Sequence, residues 1–409
     1  METQAHIPVL PEPVGSPAAR IALITETWPP EVNGVAHTLS NLARELIAGG
    51  DRVLVIRPRQ PGDGSAENLD RRGWQECLIP GLPIPRYPGL RFGLPAIRQL
   101  KQNLAQFDAQ AVYVATQGPL GWAAVTAALQ LGLPVVSGFH TNFQQYLGHY
   151  GFGLLKQAAW AYLRRFHRRS NLTLVPTEAQ GKALTQDGFG PTAMLGRGVD
   201  CRLFSPARRD RRLRQAWGVG DKEQVMLHVG RLAPEKNPEL AIRAFEAMAP
   251  VFPGLKLVFV GDGPLRDSLQ AMCPQAHFAG MRTGTDLARH YASADLLLVP
   301  SLSETFGNVV LEGMASGLAV CAFNYAAAEQ YIRHHKHGFL AHYGDEYSFL
   351  DRVEQALIHR SIYGGSGIAA RANVLRLEWP TIAARFRQQL LRPGTTVMRG
   401  SMREGNAHG

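Results

Sequence analysis

The sequence predicts an α/β protein made of two doubly wound, Rossmann-like domains. Short apolar runs rich in Val, Ile and Leu alternate with longer stretches of helical pattern, as in βαβ units whose parallel strands are covered on both faces. This alternation runs through twice, with a break near 198–206 before the basic stretch 208–214. A chain of 409 residues, 45% of them hydrophobic, is long for one core and sufficient for two.

In the first series the predicted strands are IALIT at 21–25, VLVI at 53–56, AVYVA at 111–115, VVSG at 135–138 and LTLV at 172–175, with helical patterns between them. The second series repeats the logic with VMLHV at 225–229, KLVFV at 256–260, AHF at 276–278, LLLV at 296–299 and AVCAF at 319–323. The chain closes with an amphipathic helix over 379–391, WPTIAARFRQQLL. Residues 1–17 and 393–409 are poor in large apolar side chains and are expected to be disordered tails.

Bulk properties exclude several classes. No window holds some 18 or more uninterrupted apolar residues, so no transmembrane helix is expected. The first 17 residues carry Glu2 and Glu12 and lack the basic start and apolar core of a signal peptide, so a cytoplasmic location is expected. Cys77, Cys201, Cys273 and Cys321 show no CxxC spacing, which predicts reduced structural thiols rather than disulfides or zinc ligands. A dinucleotide-dependent oxidoreductase needs GxGxxG after its first strand, and TETWPPEVNGV offers none.

The richest chemistry lies in SLSETFGNVVLEGMASG at 301–317, where Glu304 and Glu312 are separated by seven residues. Two glutamates on a helix are ordinarily solvated. If a helix begins near Thr305, however, the carboxylates lie roughly 12 Å apart along its axis, too far for one proton transfer and suited to the two ends of an extended ligand. The amides of Phe306, Gly307, Asn308 and Val309 at the helix N-terminus would face an anion between them. Carboxylates for hydroxyls and amides for a diphosphate describe a nucleotide-sugar site. Upstream, HVGRLAPEKNPELAIRAF places Arg231 and Lys236 in the loop between a strand and a helix, where α/β folds bind ligands, although solvated surface charge is the ordinary alternative for both.

The ordered motifs GRLAPEKN, VFVGDGPLRDSL and PSLSETFGNVVLEGMASGLAV resemble the retaining glycosyltransferases of family four. RIALITETWPPEVNGVAHTLSNLARELIAGG, SGFHTNFQQY and GRGVDCRLF extend the likeness over about residues 19–392. The resemblance implies the GT-B fold: two Rossmann-like domains facing a cleft, with the C-terminal helix crossing back to the first domain. It divides the chain into an acceptor-side domain at 18–200, a nucleotide-sugar domain at 201–372 and a crossover helix at 373–392.

The same resemblance implies transfer of a hexose from a nucleoside diphosphate (GDP-mannose or a UDP-hexose) to an acceptor hydroxyl, with retention of configuration. Glu304 would accept hydrogen bonds from the transferred sugar and Glu312 from the ribose, while Arg231 and Lys236 would stabilise the departing diphosphate. The chain has no Asp-x-Asp, so no metal or other cofactor is expected. His140, in GFHTN, matches a histidine close to the sugar, with Thr141 and Asn142 as weaker candidates. Gly34 and Val35 match a flexible loop that approaches the donor phosphate; Asn33 stands where many members have a first Gly and is expected to tolerate left-handed backbone. Met281 matches the main-chain contact to the base, Gly261 and Gly263 match turn glycines beside the nucleotide, and Arg197, Gly198 and Asp200 match the domain junction.

ETWPPEVNGVAHTL, FHTNFQQY and GRGVD together resemble the branch of GDP-mannose-dependent mannosyltransferases, sulfoquinovosyl-diacylglycerol synthases and related glycolipid synthases. The resemblance thus points to a membrane lipid acceptor such as diacylglycerol, a soluble or polymeric envelope carbohydrate being the alternative and a non-catalytic binding protein the alternative from another class. The net charge of +10 fits an anionic partner. RFGLPAIRQLK at 91–101 and KQAAWAYLRRFHRR at 156–169 combine basic and apolar residues as basic amphipathic helices on anionic membranes do, and equally as helices with one solvated face do. A peripheral site on the inner face of the plasma membrane is expected. Nucleic acid is not an expected partner, because no nucleic-acid-binding module accompanies the basic residues.

Overall fold

The computed structural model describes residues 17–31, 33–64, 68–71, 73–83, 91–140, 153–304, 306–363 and 367–393. Apart from Pro17 and Pro393, the expected tails lie outside them, as do Thr141 and Asn142. The chain divides into two compact units, Met1–Gly196 together with Trp379–Gly409, and Arg197–Glu378.

The first unit contains β1 (Arg20–Ile24), α1 (Gly34–Ala48), β2 (Arg52–Pro58), β3 (Asn68–Arg71), β4 (Trp74–Ile79), β5 (Gly81–Pro83), β6 (Arg91–Gly93), α2 (Ile97–Gln106), β7 (Ala111–Val114), α3 (Pro119–Gln130), β8 (Val135–Gly138), α4 (Gly153–His167), β9 (Leu172–Val175), α5 (Glu178–Gln186) and β10 (Thr192–Met194). Among the described residues its main sheet runs β10-β9-β8-β7-β1-β2-β4-β3, parallel except where β3 meets β4. On one face Ala22, Ile24, Leu54, Ile56, Val112 and Val114 bury against Leu100 and Leu104 of α2 and Leu120 and Ala124 of α3. Their spacing of two along each strand is what directs them to one side.

The second unit contains α6 (Arg211–Ala216), β11 (Val225–Val229), α7 (Pro238–Met248), β12 (Lys256–Val260), α8 (Arg266–Met272), β13 (His277–Phe278), α9 (Gly284–Ser293), β14 (Leu296–Val299), α10 (Asn308–Ala315), β15 (Ala319–Phe323), α11 (Ala326–Tyr331), β16 (Phe339–Ala341), α12 (Glu346–Tyr363) and α13 (Gly367–Val374). Its parallel sheet, among the described residues, runs β13-β12-β11-β14-β15-β16. Helix α14 (Trp379–Leu391) follows in sequence but packs in the first unit, with Phe386 edge-on to Tyr113 at 4.8 Å and Arg387 Nε donating to Asp51 Oδ2 at 2.8 Å. Among the described residues no helix is long and apolar enough to cross a membrane.

Every predicted strand is present, with ends shifted by up to two residues. Of the strands the sequence did not reveal, β3, β5, β6, β10 and β16 are pieces of three or four residues at sheet edges, too short for an apolar run to stand out, while the interior β4 is interrupted by Gln75 and Glu76. Residues 91–101 do not form one amphipathic helix: Arg91–Gly93 pair with Gly81–Pro83 as a hairpin and the helix starts only at Ile97. In α4, Leu163 and Phe166 are buried within the unit, so much of the apolar face expected to meet a membrane is already covered.

Candidate functional site

In the second unit the strand order reverses between β11 and β14, and the loops leaving those strands lie together at the carboxyl end of the sheet, where doubly wound folds form a ligand crevice. The β11 loop makes a turn at Pro234–Lys236 and passes through left-handed Asn237 (φ 51°) into α7, whose first residue is Pro238. The Glu235 carbonyl accepts from the amides of Leu302 (2.9 Å) and Ser303 (3.3 Å), fastening the two loops to each other. Across that junction Lys236 Nζ donates to Glu304 Oε1 at 2.6 Å, with both side chains mostly shielded from solvent.

The main chain of Glu304 is held from behind. Its amide donates to the Tyr325 hydroxyl at 2.5 Å, and that hydroxyl in turn donates to the Glu304 carbonyl. The Tyr343 hydroxyl donates to the Leu302 carbonyl at 2.6 Å. Glu304, Phe306, Gly307, Tyr325 and the alanines 326–328 line a cavity of only about 10 Å³.

Helix α10 starts at Asn308, not near Thr305 as expected, because Gly307 takes left-handed backbone (φ 95°) and turns the chain before the helix. The axial separation expected of the two carboxylates therefore does not apply, since Glu304 stands on the loop and Glu312 alone on the helix. Among the described residues no side chain caps the α10 N-terminus, which leaves the turn of Asn308 and Val309 available to an anion. Arg197, nearly buried, lies over the Phe306 ring at 5.4 Å and donates to Asn308 Oδ1 at 3.4 Å, so this junction residue braces the same turn.

Glu312 accepts from the Tyr291 hydroxyl at 2.8 Å. Burial pushes its carboxyl above the ordinary range, with the Tyr291 bond acting against the rise, and burial also holds the Tyr291 phenol well above its usual value. Beneath Lys236, the β11 residue His228 is wholly buried against Phe259, with a ring distance of 5.5 Å. Its ring nitrogens make no well-formed hydrogen bond among the described residues, with only the Leu298 backbone near enough to favour a proton. Burial, aided by the Lys236 charge, lowers its pKa to about 4.

The remaining candidates are more dispersed. Arg231 is exposed and faces Glu235 at 3.7 Å rather than the Lys236–Glu304 pair. Met281 is 70% exposed. Gly261 (φ 138°) is required by close packing, since a Cβ there would sit 1.8 Å from the Gly230 carbonyl oxygen.

In the first unit, His140 Nε2 lies 2.6 Å from the Tyr113 hydroxyl, and a Cβ on Gly138 would collide with both. Gly34 and Val35 form the first turn of α1 instead of a flexible loop. Asn33 is extended (φ −148°), not left-handed, because its carboxamide is used as the N-cap, accepting from Val35 N at 3.1 Å and Ala36 N at 2.9 Å. The carboxylate of Glu26, at the end of β1, takes long hydrogen bonds from Gly93 N (3.3 Å) and Leu120 N (3.4 Å), and burial raises its pKa.

Sequence reasoning did not single out Tyr291, Tyr325 or Tyr343. Only Tyr325 had a usable signal, its place just past the β15 strand; the other two meet the site through tertiary packing alone.

The description of glycosyl transferases group 1 matches residues 209–363, and that of glycosyltransferase family 4 matches residues 32–227. The chain is 35% identical to a GDP-mannose-dependent alpha-mannosyltransferase of Mycobacterium tuberculosis (strain CDC 1551 / Oshkosh), over 89% of this chain and 94% of that one. It is 30% identical to sulfoquinovosyl transferase SQD2 of Arabidopsis thaliana over 95% and 76% of the two chains. It is 27% identical to an alpha-monoglucosyldiacylglycerol synthase of Streptococcus pneumoniae (strain ATCC BAA-255 / R6), over 83% and 78%. Among solved structures, sucrose-phosphate synthase from Thermosynechococcus elongatus shares the fold, with a TM-score of 0.71 at 18% identity over 90% of this chain and 98% of that one.

Proposed function

The chain belongs to the glycosyltransferases of group 1 and family 4, and from that premise we propose that it moves a hexose from a nucleoside diphosphate sugar to an acceptor hydroxyl, with retention of configuration and without a metal ion. The observation that carries this reading is the meeting of Lys236 and Glu304 at the strand-order reversal of the second unit. A cation and a carboxylate there, beside an uncapped helix N-terminus, suit a ligand with a diphosphate at one point and hydroxyls at another.

In this reading Lys236 and Arg231 stabilise the charge that grows on the departing diphosphate, helped by the amides of the 306–309 turn. Glu304 accepts from hydroxyls of the transferred sugar. Glu312, held by Tyr291, accepts from the ribose, and the main chain at Met281 meets the base. From the first unit His140 acts on the sugar, and Gly34 and Val35 on the phosphate side. The acceptor is a membrane lipid such as diacylglycerol, a reading supported by the glycolipid-synthase relative. An anionic, cytoplasmic membrane face is then the working surface; exposed Leu82, Leu94 and Ile97, near Arg91, Arg98 and Lys101 in sequence, fit such a surface.

Calorimetric titration with UDP, GDP, ADP and their hexose derivatives tests the donor. Glu304→Gln should lower turnover while leaving diphosphate affinity intact, and Glu312→Gln should weaken the diphosphate itself, each by roughly 10-fold to 150-fold for a lost charge-assisted bond of about 1.5–3 kcal/mol. Equal loss of diphosphate affinity in both variants would overturn the assignment. Co-sedimentation with anionic vesicles, lost in high salt, tests the surface; a wild-type protein that ignores such vesicles at low salt would move the acceptor to a soluble carbohydrate.

A further inference from the structure

We propose that Tyr325 is a positioning residue for Glu304 and that, with Tyr343, it sets the donor-sugar site apart from the nucleotide site. The inference rests on the reading above that Glu304 binds the transferred sugar. A single phenol hydroxyl engages both main-chain groups of Glu304, accepting from the amide and donating to the carbonyl. Phenylalanine cannot supply either bond.

Two further observations show a built arrangement. The residue after Tyr325, Ala326, adopts left-handed backbone (φ 54°), a conformation that a side chain with a Cβ rarely takes, and the Ala327 amide then donates to the Phe306 carbonyl at 2.8 Å. The turn is thus bent into a conformation that lays the 325–327 segment against the Glu304–Gly307 loop. The Tyr343 ring meets that of Tyr325 at 5.2 Å, and its hydroxyl holds Leu302, two residues before Glu304. Together the tyrosines fix the main chain of the 302–304 segment, and Lys236 fixes the carboxylate.

The consequence is selectivity in what each variant loses. The Tyr325 hydroxyl is engaged by the Glu304 main chain, and it acts through that residue. Removing its hydroxyl should loosen the sugar contact and leave the diphosphate contact unchanged.

The test uses the full chain and the nucleoside diphosphate, among GDP, UDP and ADP, that stabilises the wild type most, with GDP-mannose, UDP-glucose or ADP-glucose as the matching donor. Tyr325→Phe should keep its Kd for the diphosphate within twofold and lower kcat with the donor by about 5-fold to 20-fold. In a Glu304→Gln background the same change should have almost no further effect, because the two residues act as one unit. Tyr343→Phe should show the same pattern with a smaller loss, and serves as the second probe should Tyr325→Phe fold poorly by circular dichroism. Multiplicative losses in the double variant, a parallel fall in diphosphate affinity, or wild-type kcat in both tyrosine variants would overturn the proposal. If Glu304→Gln itself turns over like the wild type, the underlying assignment of Glu304 fails, and the positioning role fails with it.

Discussion

The two units place the reversal of strand order at equivalent points of their sheets but fill it differently. In the first unit the order reverses between β1 and β7, and Glu26 turns into the gap; a Cβ on Gly118 would lie 2.0 Å from its carboxylate. The Glu26 amide donates to Thr116 Oγ1 at 3.0 Å, and Trp28, two residues on, is buried edge-on against Trp74. The Glu26 contacts tie the loop after β1 to the loop after β7. In the second unit the gap between β11 and β14 holds Lys236 and Glu304, paired with each other at 2.6 Å on two loops fastened by the Glu235 carbonyl. The difference teaches that a shared topology offers a crevice in each unit, and that the side chains at the ends of the two central strands decide how each one is lined.

The largest test of that contrast lies in the first unit. Arg57, almost fully buried, pairs with Asp63 at 2.6 Å and Glu76 at 2.7 Å. Arg57→Met would strand two buried carboxylates and should cost about 3–5 kcal/mol of stability, read by denaturant unfolding. A loss below about 1 kcal/mol would show that the first unit's loops are not bound as tightly as the contrast requires.

Next comes Lys236→Ala, which should lower kcat about 10²-fold to 10³-fold, equivalent to about 2.7–4 kcal/mol, with a smaller effect on donor affinity. Its ion pair is mostly but not fully shielded, so stability should change by less than it does on loss of the deeper Arg57 pairs. A variant that unfolds instead of losing turnover would place this pair with the structural charges of the first unit.

Each unit also hides a histidine whose proton is disfavoured by burial, His167 with a pKa lowered to about 3 and His228 to about 4. The unfolded imidazole takes up its proton near 6.5, so stability from both is present above that pH and is lost as pH falls through 6.5 towards 4 and 3. Glu26, Glu31 and Glu312, whose carboxyls burial raises, act in the opposite direction. The difference between wild type and His228→Leu therefore isolates one imidazole: the wild type should lose on the order of 2–3 kcal/mol more than the variant between pH 7 and 4. Parallel pH profiles would contradict this.

The smallest expected effect is Gly118→Ala, where the colliding atoms are the flexible end of Glu26 and not backbone. A cost of about 1–3 kcal/mol in stability is expected. A neutral outcome by thermal melting would mean that Glu26 moves aside without loss.

The pattern of apolar runs made the sheets legible because central parallel strands are buried on both faces and must be apolar throughout, as in LLLV of β14. NLDR of β3 meets no such demand and gave no signal. In the candidate site, Lys236 and Glu304 could be singled out because loops at strand ends are where α/β folds carry ligand chemistry. Their direct contact could not, since it depends on Glu235 fastening one loop to the other. Gly307 hid the true start of α10, because a glycine in a strongly helical stretch does not disclose the sign of its φ. The alternation of basic and apolar residues at 156–169 was visible, whereas the commitment of Leu163 and Phe166 to the core is a matter of packing that only the folded unit reveals.

Helix α14 makes the two units depend differently on the order of the sequence. Arg197–Glu378 is one continuous segment, whereas the first unit is assembled from two stretches far apart in the sequence. The first unit is made earlier but stays incomplete, because its surface on α1 and Tyr113 waits for Trp379, Phe386 and Arg387, the last of which locks onto Asp51 across 336 positions of sequence. The half synthesised first is therefore the half that depends on the later sequence, and a released chain truncated before residue 379 would keep every segment of the second unit while leaving the apolar flank of the first uncovered.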